Sequence, residues 1–225
     1  MWSKCLPRWG VDHTTQHELL ALARVANAEY QDVRASVRRG LHHRQRELAS
    51  LEANATQMRH FLPTLITGLL QTPEYMRAAM NTPIEPAICD TTQAVALKLQ
   101  RQAILHDHTK NFEFLLTESA LRWQLCKPSI MALQLDRLVS LSHLPNIDIG
   151  VLPLSARVAD GAYHTFVTYD RRLVTIELFT GQLVLRDPKN IDHYRALFDF
   201  FSSHALWADD ARSVLSALAD TFRSG

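Results

Sequence analysis

Glycine is scarce in this sequence, seven in 225 residues, and no Walker loop, dinucleotide GxGxxG or GxSxG elbow occurs. Little material is left for a loop that cradles phosphate or a strained nucleophile turn. Cysteine is scarcer still. Cys5, Cys89 and Cys126 are odd in number and lack CxxC spacing, which gives no disulfide or zinc framework and fits a reducing interior. Charge of one sign is also missing: 24 Lys and Arg against 23 Asp and Glu leave a net +1, so no global basic field draws the protein to nucleic acid or anionic lipid. No uninterrupted apolar run reaches the roughly 18 residues a membrane span needs. The N-terminal residues Met1 to Gly10 contain no apolar stretch or cleavage site of a secretory signal, so a cytoplasmic location is expected.

What is present is the composition of a globular chain, 47% hydrophobic and 21% charged. The first half reads as helices. Leu19, Leu22, Ala23, Ala26 and Tyr30 recur at helical spacing, and Leu48, Leu51, Ala55, Met58 and Leu62 follow a three-four alternation up to Pro63. The second reading puts Arg44, Glu47, Glu52 and Arg59 on wet faces. Between the two, Arg34 to Arg46 carries five arginines, His42 and His43, broken by Gly40, a polar joint. Thr72-Pro73-Glu74 starts another helix with a cap, a proline at the first helical position and an acid on the dipole. A longer helix then runs through Val95 and Leu105.

The second half alternates differently. Phe112 to Leu116 reads as a strand and Thr117-Glu118 as a helix start, followed by a helix from Pro128 to His143. Strands are expected at Ile147 to Pro153, His164 to Tyr169, Leu173 to Phe179 and Gln182 to Leu185, the last three joined by links short enough for antiparallel hairpins. Helices from Asp187-Pro188 and from Asp209 to Phe222 close the chain. The expected architecture is α+β: N-terminal helices, a mostly antiparallel sheet of four to five strands, and C-terminal helices. No alternating βαβ series is evident.

The run Gly68-Leu69-Leu70-Gln71-Thr72-Pro73-Glu74-Tyr75 resembles the signature of the DUF5753 family, the C-terminal domain of actinobacterial Xre-type helix-turn-helix transcriptional regulators. Leu51-Glu52-x-x-Ala55, Arg101-Gln102, Phe114 to Leu121, Leu152-Pro153, Ile176-Glu177 and Asp187-Pro188 follow in family order. Thr67 replaces the family's proline before Gly68. The resemblance spans roughly residues 45 to 218 and implies a helical remnant or linker at 1–43 and the family domain at 44–225. Only the tail of a helix-turn-helix fits before Leu48, so no sequence-specific DNA binding is expected of this chain alone.

The candidate ligand contacts are Gln71, Tyr75, Glu177 and Tyr169. Gln71 and Tyr75 flank a helix N-terminus, whose N–H groups, an amide and an aromatic face suit a small polar or anionic ligand; a capped turn explains the same residues. Glu177 faces away from Ile176 and Leu178 on a strand, where a carboxylate orients a ligand, acts as a base, or forms a structural ion pair. The resemblance implies a non-enzymatic module that senses an effector or binds a partner regulator, such as a small DUF397-type protein. The alternative is a cofactor-independent cyclase or isomerase, motivated by the histidines and acids of the chain, with Asp107 and Tyr75 among the candidate groups and Glu177 and His164 as the catalytic residues, and with a sheet lined by Phe166, Tyr169 and Phe179 to enclose an apolar substrate. A homodimer through the stripe from Arg44 to Leu62 is a third reading. No cofactor or metal is expected: in His106-Asp107-His108 the two imidazoles diverge on a helix, and HExxH spacing is absent.

Overall fold

The computed structural model describes residues 12, 14–15, 28–32, 48–81 and 91–225. In chain order these form strand β1 (Ala28–Asp32), helix α1 (48–53), β2 (Gln57–Leu62), α2 (Pro73–Met80), α3 (Thr91–Gln102), a 3₁₀ turn (Ala103–His106) and β3 (Asn111–Thr117). Then follow α4 (Glu118–Arg122), α5 (Pro128–Leu141), β4 (Ile147–Leu152), β5 (Phe166–Tyr169), β6 (Leu173–Glu177), β7 (Gly181–Leu185), α6 (Pro188–Ser202) and α7 (Ala208–Ser224). The seven strands make one mixed sheet in the order β1-β7-β6-β5-β2-β3-β4. β2, β3 and β4 are parallel, and every other pair is antiparallel.

The three hairpin strands fall where the short links placed them, and the helix starts are capped as read. Thr72 Oγ1 accepts from Tyr75 N, Thr117 Oγ1 from Ala120 N and Asp187 Oδ1 from Lys189 N. The sheet nevertheless has more strands than four to five, and two corrections account for this. Residues 57–62 form a strand at the centre of the sheet, not the end of a helix. Positions 55, 58 and 62 fit a helical period, but Met58, His60 and Leu62 also alternate with Arg59 and Phe61, and pairing with strands on both sides decides for the shorter period. The described part of the stretch from Arg44 to Leu62, residues 48–62, is thus a helix followed by a strand and not one helical stripe through Leu62. Tyr30 likewise lies on an edge strand paired with β7, not on a helix. Residues 16–27 and the arginine-rich joint at 33–47 lie outside the described residues.

With β2 a strand, the connections β2-α2-α3-β3 and β3-α4-α5-β4 are two helical crossovers, as parallel neighbours require. Even-numbered β2 and β3 side chains, with Ile147, Ile149 and Val151, face α2, α5 and α7 in the larger core. The opposite face packs Phe61, Leu115, Phe166 and Ile176 against Ile191, Phe198 and Phe201 of α6. Gly150 on that second face is required by packing: a Cβ there would stand 2.7 Å from the Trp207 indole.

The short stretch from α1 to β2 is fixed from two distant points. Lys110 Nζ donates to the carbonyls of Glu52, Ala53 and Ala55 at 3.1, 2.9 and 2.7 Å, closing the C-terminus of α1 with an ammonium group. Asp170, at φ 51 in the left-handed region that Asp tolerates, accepts from Thr56 N, Thr56 Oγ1 and Gln57 N. Lys110→Met, which strands three carbonyls but keeps the stem, is expected to cost about 2 kcal/mol in urea unfolding; an unchanged midpoint would mean that water replaces the ammonium freely.

Candidate functional site

The turn carrying the Gly68–Tyr75 run is built from side-chain amides that bond backbone. Gln134 accepts from Thr72 N at 2.7 Å and donates to Leu70 O at 2.9 Å. Gln102 Nε2 donates to the carbonyls of Gly68 and Gln71, both at 2.8 Å, and Gln71 Nε2 donates to Ile66 O at 2.7 Å. Tyr75 is fully buried in the larger core, and burial pushes its phenol well above the usual range. Gln102 and Gln134 therefore fasten the turn to α3 and α5, and Gln71 and Tyr75 are buried within it, the Gln71 Oε1 and the Tyr75 hydroxyl without a hydrogen-bond partner among the described residues. The corner is a closely bonded joint.

Its consequence is the orientation of α3. With Gln102 held against the turn, Arg101 and Lys98, three residues apart and hence on one side of the helix, project over the β2, β5 and β6 part of the sheet. Arg101 Nε lies 3.0 Å from Glu52 Oε2, in a pair whose side chains are 10% and 1% exposed. Burial raises the Glu52 carboxyl above its ordinary value, while the charges of Arg101 and Lys110 pull it back.

Beneath this pair lies His60, 2% exposed, with its ring centroid 4.6 Å from that of Phe114. Neither ring nitrogen has a hydrogen-bond partner among the described residues. Burial first, and the charge of Arg101 second, hold its pKa down at about 3, so the imidazole is neutral. Tyr169, 3% exposed on the neighbouring strand, has its phenol raised by burial and by the charge of Glu52, and bonds the Thr175 side chain. Lys98 completes the group. Burial and Arg101 lower its ammonium, the carboxylate of Glu177 at the rim opposes them, and no described side chain forms an ion pair with it. Arg101 is thus central to a mostly buried polar cluster of Glu52, His60, Lys98 and Tyr169, with Glu177 at its edge.

Of the residues read from sequence, Tyr169 lies within the cluster, and Glu177, four residues along β6 from Tyr169's register partner Leu173, lies on the same face at its edge. His164 does not: it lies on the α6 side of the sheet, its Nε2 2.9 Å from Tyr194 Oη, so it and Glu177 occupy opposite faces. The apolar wall is likewise divided. Phe166 belongs to the smaller core, Tyr169 to the larger, and Phe179 is fully exposed at the tip of the β6–β7 hairpin. Asp107 accepts from the backbone and hydroxyl of Thr109, and among the described residues no three His, Cys, Asp or Glu side chains gather as metal ligands. Glu52, read as solvated, is almost wholly buried.

Glu52, His60, Lys98 and Arg101 were not singled out from sequence as site residues. A signal existed for two of them: Leu51-Glu52 and Arg101-Gln102 both stand among the motifs of the family resemblance, with opposite charges that the fold pairs.

The fold is thus a three-layer α/β/α domain with a polar cluster beneath one helix. The chain belongs to the DUF5753 family, a domain of unknown function, whose profile matches residues 45–217. No curated protein matches it. The solved structures to which the chain is similar are remote. NucT from Helicobacter pylori has a TM-score of 0.46 at 10% identity, covering 80% of this chain and 97% of that one. An archaeal chromatin protein, TrmBL2, gives 0.40 at 11%, covering 92% and 67%. The phospholipase D family member Nuc from Salmonella typhimurium gives 0.39 at 9%, covering 72% and 90%. Among the described residues no helix is long and apolar enough to cross a membrane.

Proposed function

We propose that this domain is the effector-sensing module of an Xre-type transcriptional regulator, non-enzymatic, with the cluster around Arg101 as its effector site. One observation carries the reading. His60 is buried on the sheet with both nitrogens unpaired, an arrangement costly to stability and suited to a group that an arriving ligand completes. Glu177 and Tyr169 would contact the polar part of that ligand from the sheet. Occupancy would change the population of conformers in which α1 is held to α3, and a partner regulator, of DUF397 type where one is present, would read that change. A cytoplasmic location belongs to the same proposal.

The test is thermal unfolding of the purified chain against a library of small polar metabolites. A ligand at a hundred times its Kd stabilises by about 2.7 kcal/mol, roughly 5 to 10 °C for a domain of this size. The expected hit raises the midpoint of the parent protein, is not consumed, and loses most of its effect in Tyr169→Phe. A hit turned over by the protein, with turnover abolished in Glu177→Gln, would replace the sensor by an enzyme.

A further inference from the structure

The cluster also indicates which chemistry the ligand brings, an inference that rests on the sensor reading. Two cations, Arg101 and Lys98, project from one side of α3, and only Arg101 is met by a buried acid, Glu52. The second acid, Glu177, is an exposed residue at the end of β6. A neutral imidazole always carries one N–H donor, and that of His60 has nothing to donate to. The Tyr169 hydroxyl lies on the adjacent strand, where Met58 and Tyr169 are in register next to the His60–Val167 pair. The His60 N–H and the Lys98 ammonium are therefore the donors short of an acceptor, beside a guanidinium already engaged by the buried Glu52 carboxylate. An oxyanion supplies what is missing, since two cationic donors and a neutral one bind it by charge-assisted hydrogen bonds strengthened by the low local dielectric.

We infer that the cluster binds a small oxyanion, a carboxylate or phosphate group of the effector, between Lys98 and Arg101 with the His60 ring donating to it, and that the anion competes with Glu52 for Arg101. Competition for Arg101 is what would convert binding into motion. Glu52 lies on α1, so loosening its ion pair removes one tie of α1 to α3 and leaves the Lys110 contacts to its carbonyls and the packing of Leu51 against the larger core.

The experiment uses the full chain labelled with ¹⁵N-histidine, with the His60 imidazole assigned by its loss in His60→Phe. Sodium phosphate and sodium succinate are titrated separately against sodium chloride of equal ionic strength. The expected result is a saturable shift of the His60 ring nitrogens with phosphate, with succinate or with both, in the millimolar range, and none with chloride. A response to phosphate alone assigns the phosphate source and a response to succinate alone the carboxylate source. Lys98→Met, at a partly exposed position, should weaken the response at least about tenfold. Failure of both anions to exceed chloride, or a Lys98→Met protein that titrates like the parent, overturns the inference. Where a neutral or cationic metabolite moves His60 and neither anion does, the oxyanion assignment falls while the sensor reading stands; silence of His60 to every class removes both.

Discussion

Arg101→Gln is expected to destabilise the protein by about 3–5 kcal/mol at pH 7, because it leaves the Glu52 carboxylate buried without its cation. For a domain of this length that is about 6 to 20 °C in the unfolding midpoint. Replacing both partners, as in Glu52→Leu with Arg101→Met, should restore most of the loss, since no buried charge is then left behind. The pH dependence follows from the direction of the Glu52 shift. Its carboxyl is raised above the ordinary 4.5 by burial, and without Arg101 it rises further. The destabilisation is thus full at neutral pH, where the folded state must bury a charge, and shrinks as acid protonates Glu52 in the folded state. Urea unfolding of the Arg101→Gln and parent proteins at pH 7 and pH 5 measures it. Equal stability at pH 7 would show that the pair is hydrated and not the buried contact described.

The second large effect belongs to His60 and has the opposite sense. Its pKa falls from 6.5 to about 3 in the folded protein, so the unfolded chain binds the proton more readily. Stability from this group is complete above pH 6.5 and declines as pH falls towards 3, by about 1.4 kcal/mol per pH unit for one proton. His60→Phe keeps a ring against Phe114 and removes that proton. Between pH 6.5 and pH 4 the variant should lose roughly 3 kcal/mol less than the parent. At pH 7 it should be unchanged or about 1 kcal/mol more stable, since two unpaired buried nitrogens disappear. Glu52 titrates in both proteins and cancels in the comparison. Parallel stability–pH curves would place His60 in contact with water.

How much of this was legible follows from where each signal lies. The hairpins from Phe166 to Leu185 were readable because their links are only a few residues long, and the caps at Thr72, Thr117 and Asp187 because capping is a matter of neighbouring residues. β2 was not, since six residues that fit both periods are decided by pairing partners more than 50 residues away. The cluster was harder still. Glu52, His60, Lys98, Arg101 and Tyr169 come from α1, β2, α3 and β5; His60 and Lys98 have no telling neighbour in sequence, and Glu52 and Arg101 stand out only through the family motifs. Their significance is in burial, which a period error at β2 reverses: a helix through Leu62 puts Glu52 in water and gives His60 no face of the sheet. Glu177 and Tyr169 were found because strand alternation and the family motif are local.

The pairing of β1 with β7 sets an order on biosynthesis. Ala28 meets Leu185, so the first described strand emerges from the ribosome long before its neighbour exists. At roughly 5–20 residues per second it waits about ten seconds or more with its backbone donors and acceptors unmatched. β2 and β3 can pair much earlier, whereas β1, the first of the described strands, must wait for β7. A nascent chain paused before residue 181 therefore carries an orphan strand, and this is the stage at which a chaperone or a neighbouring nascent chain would most readily engage it.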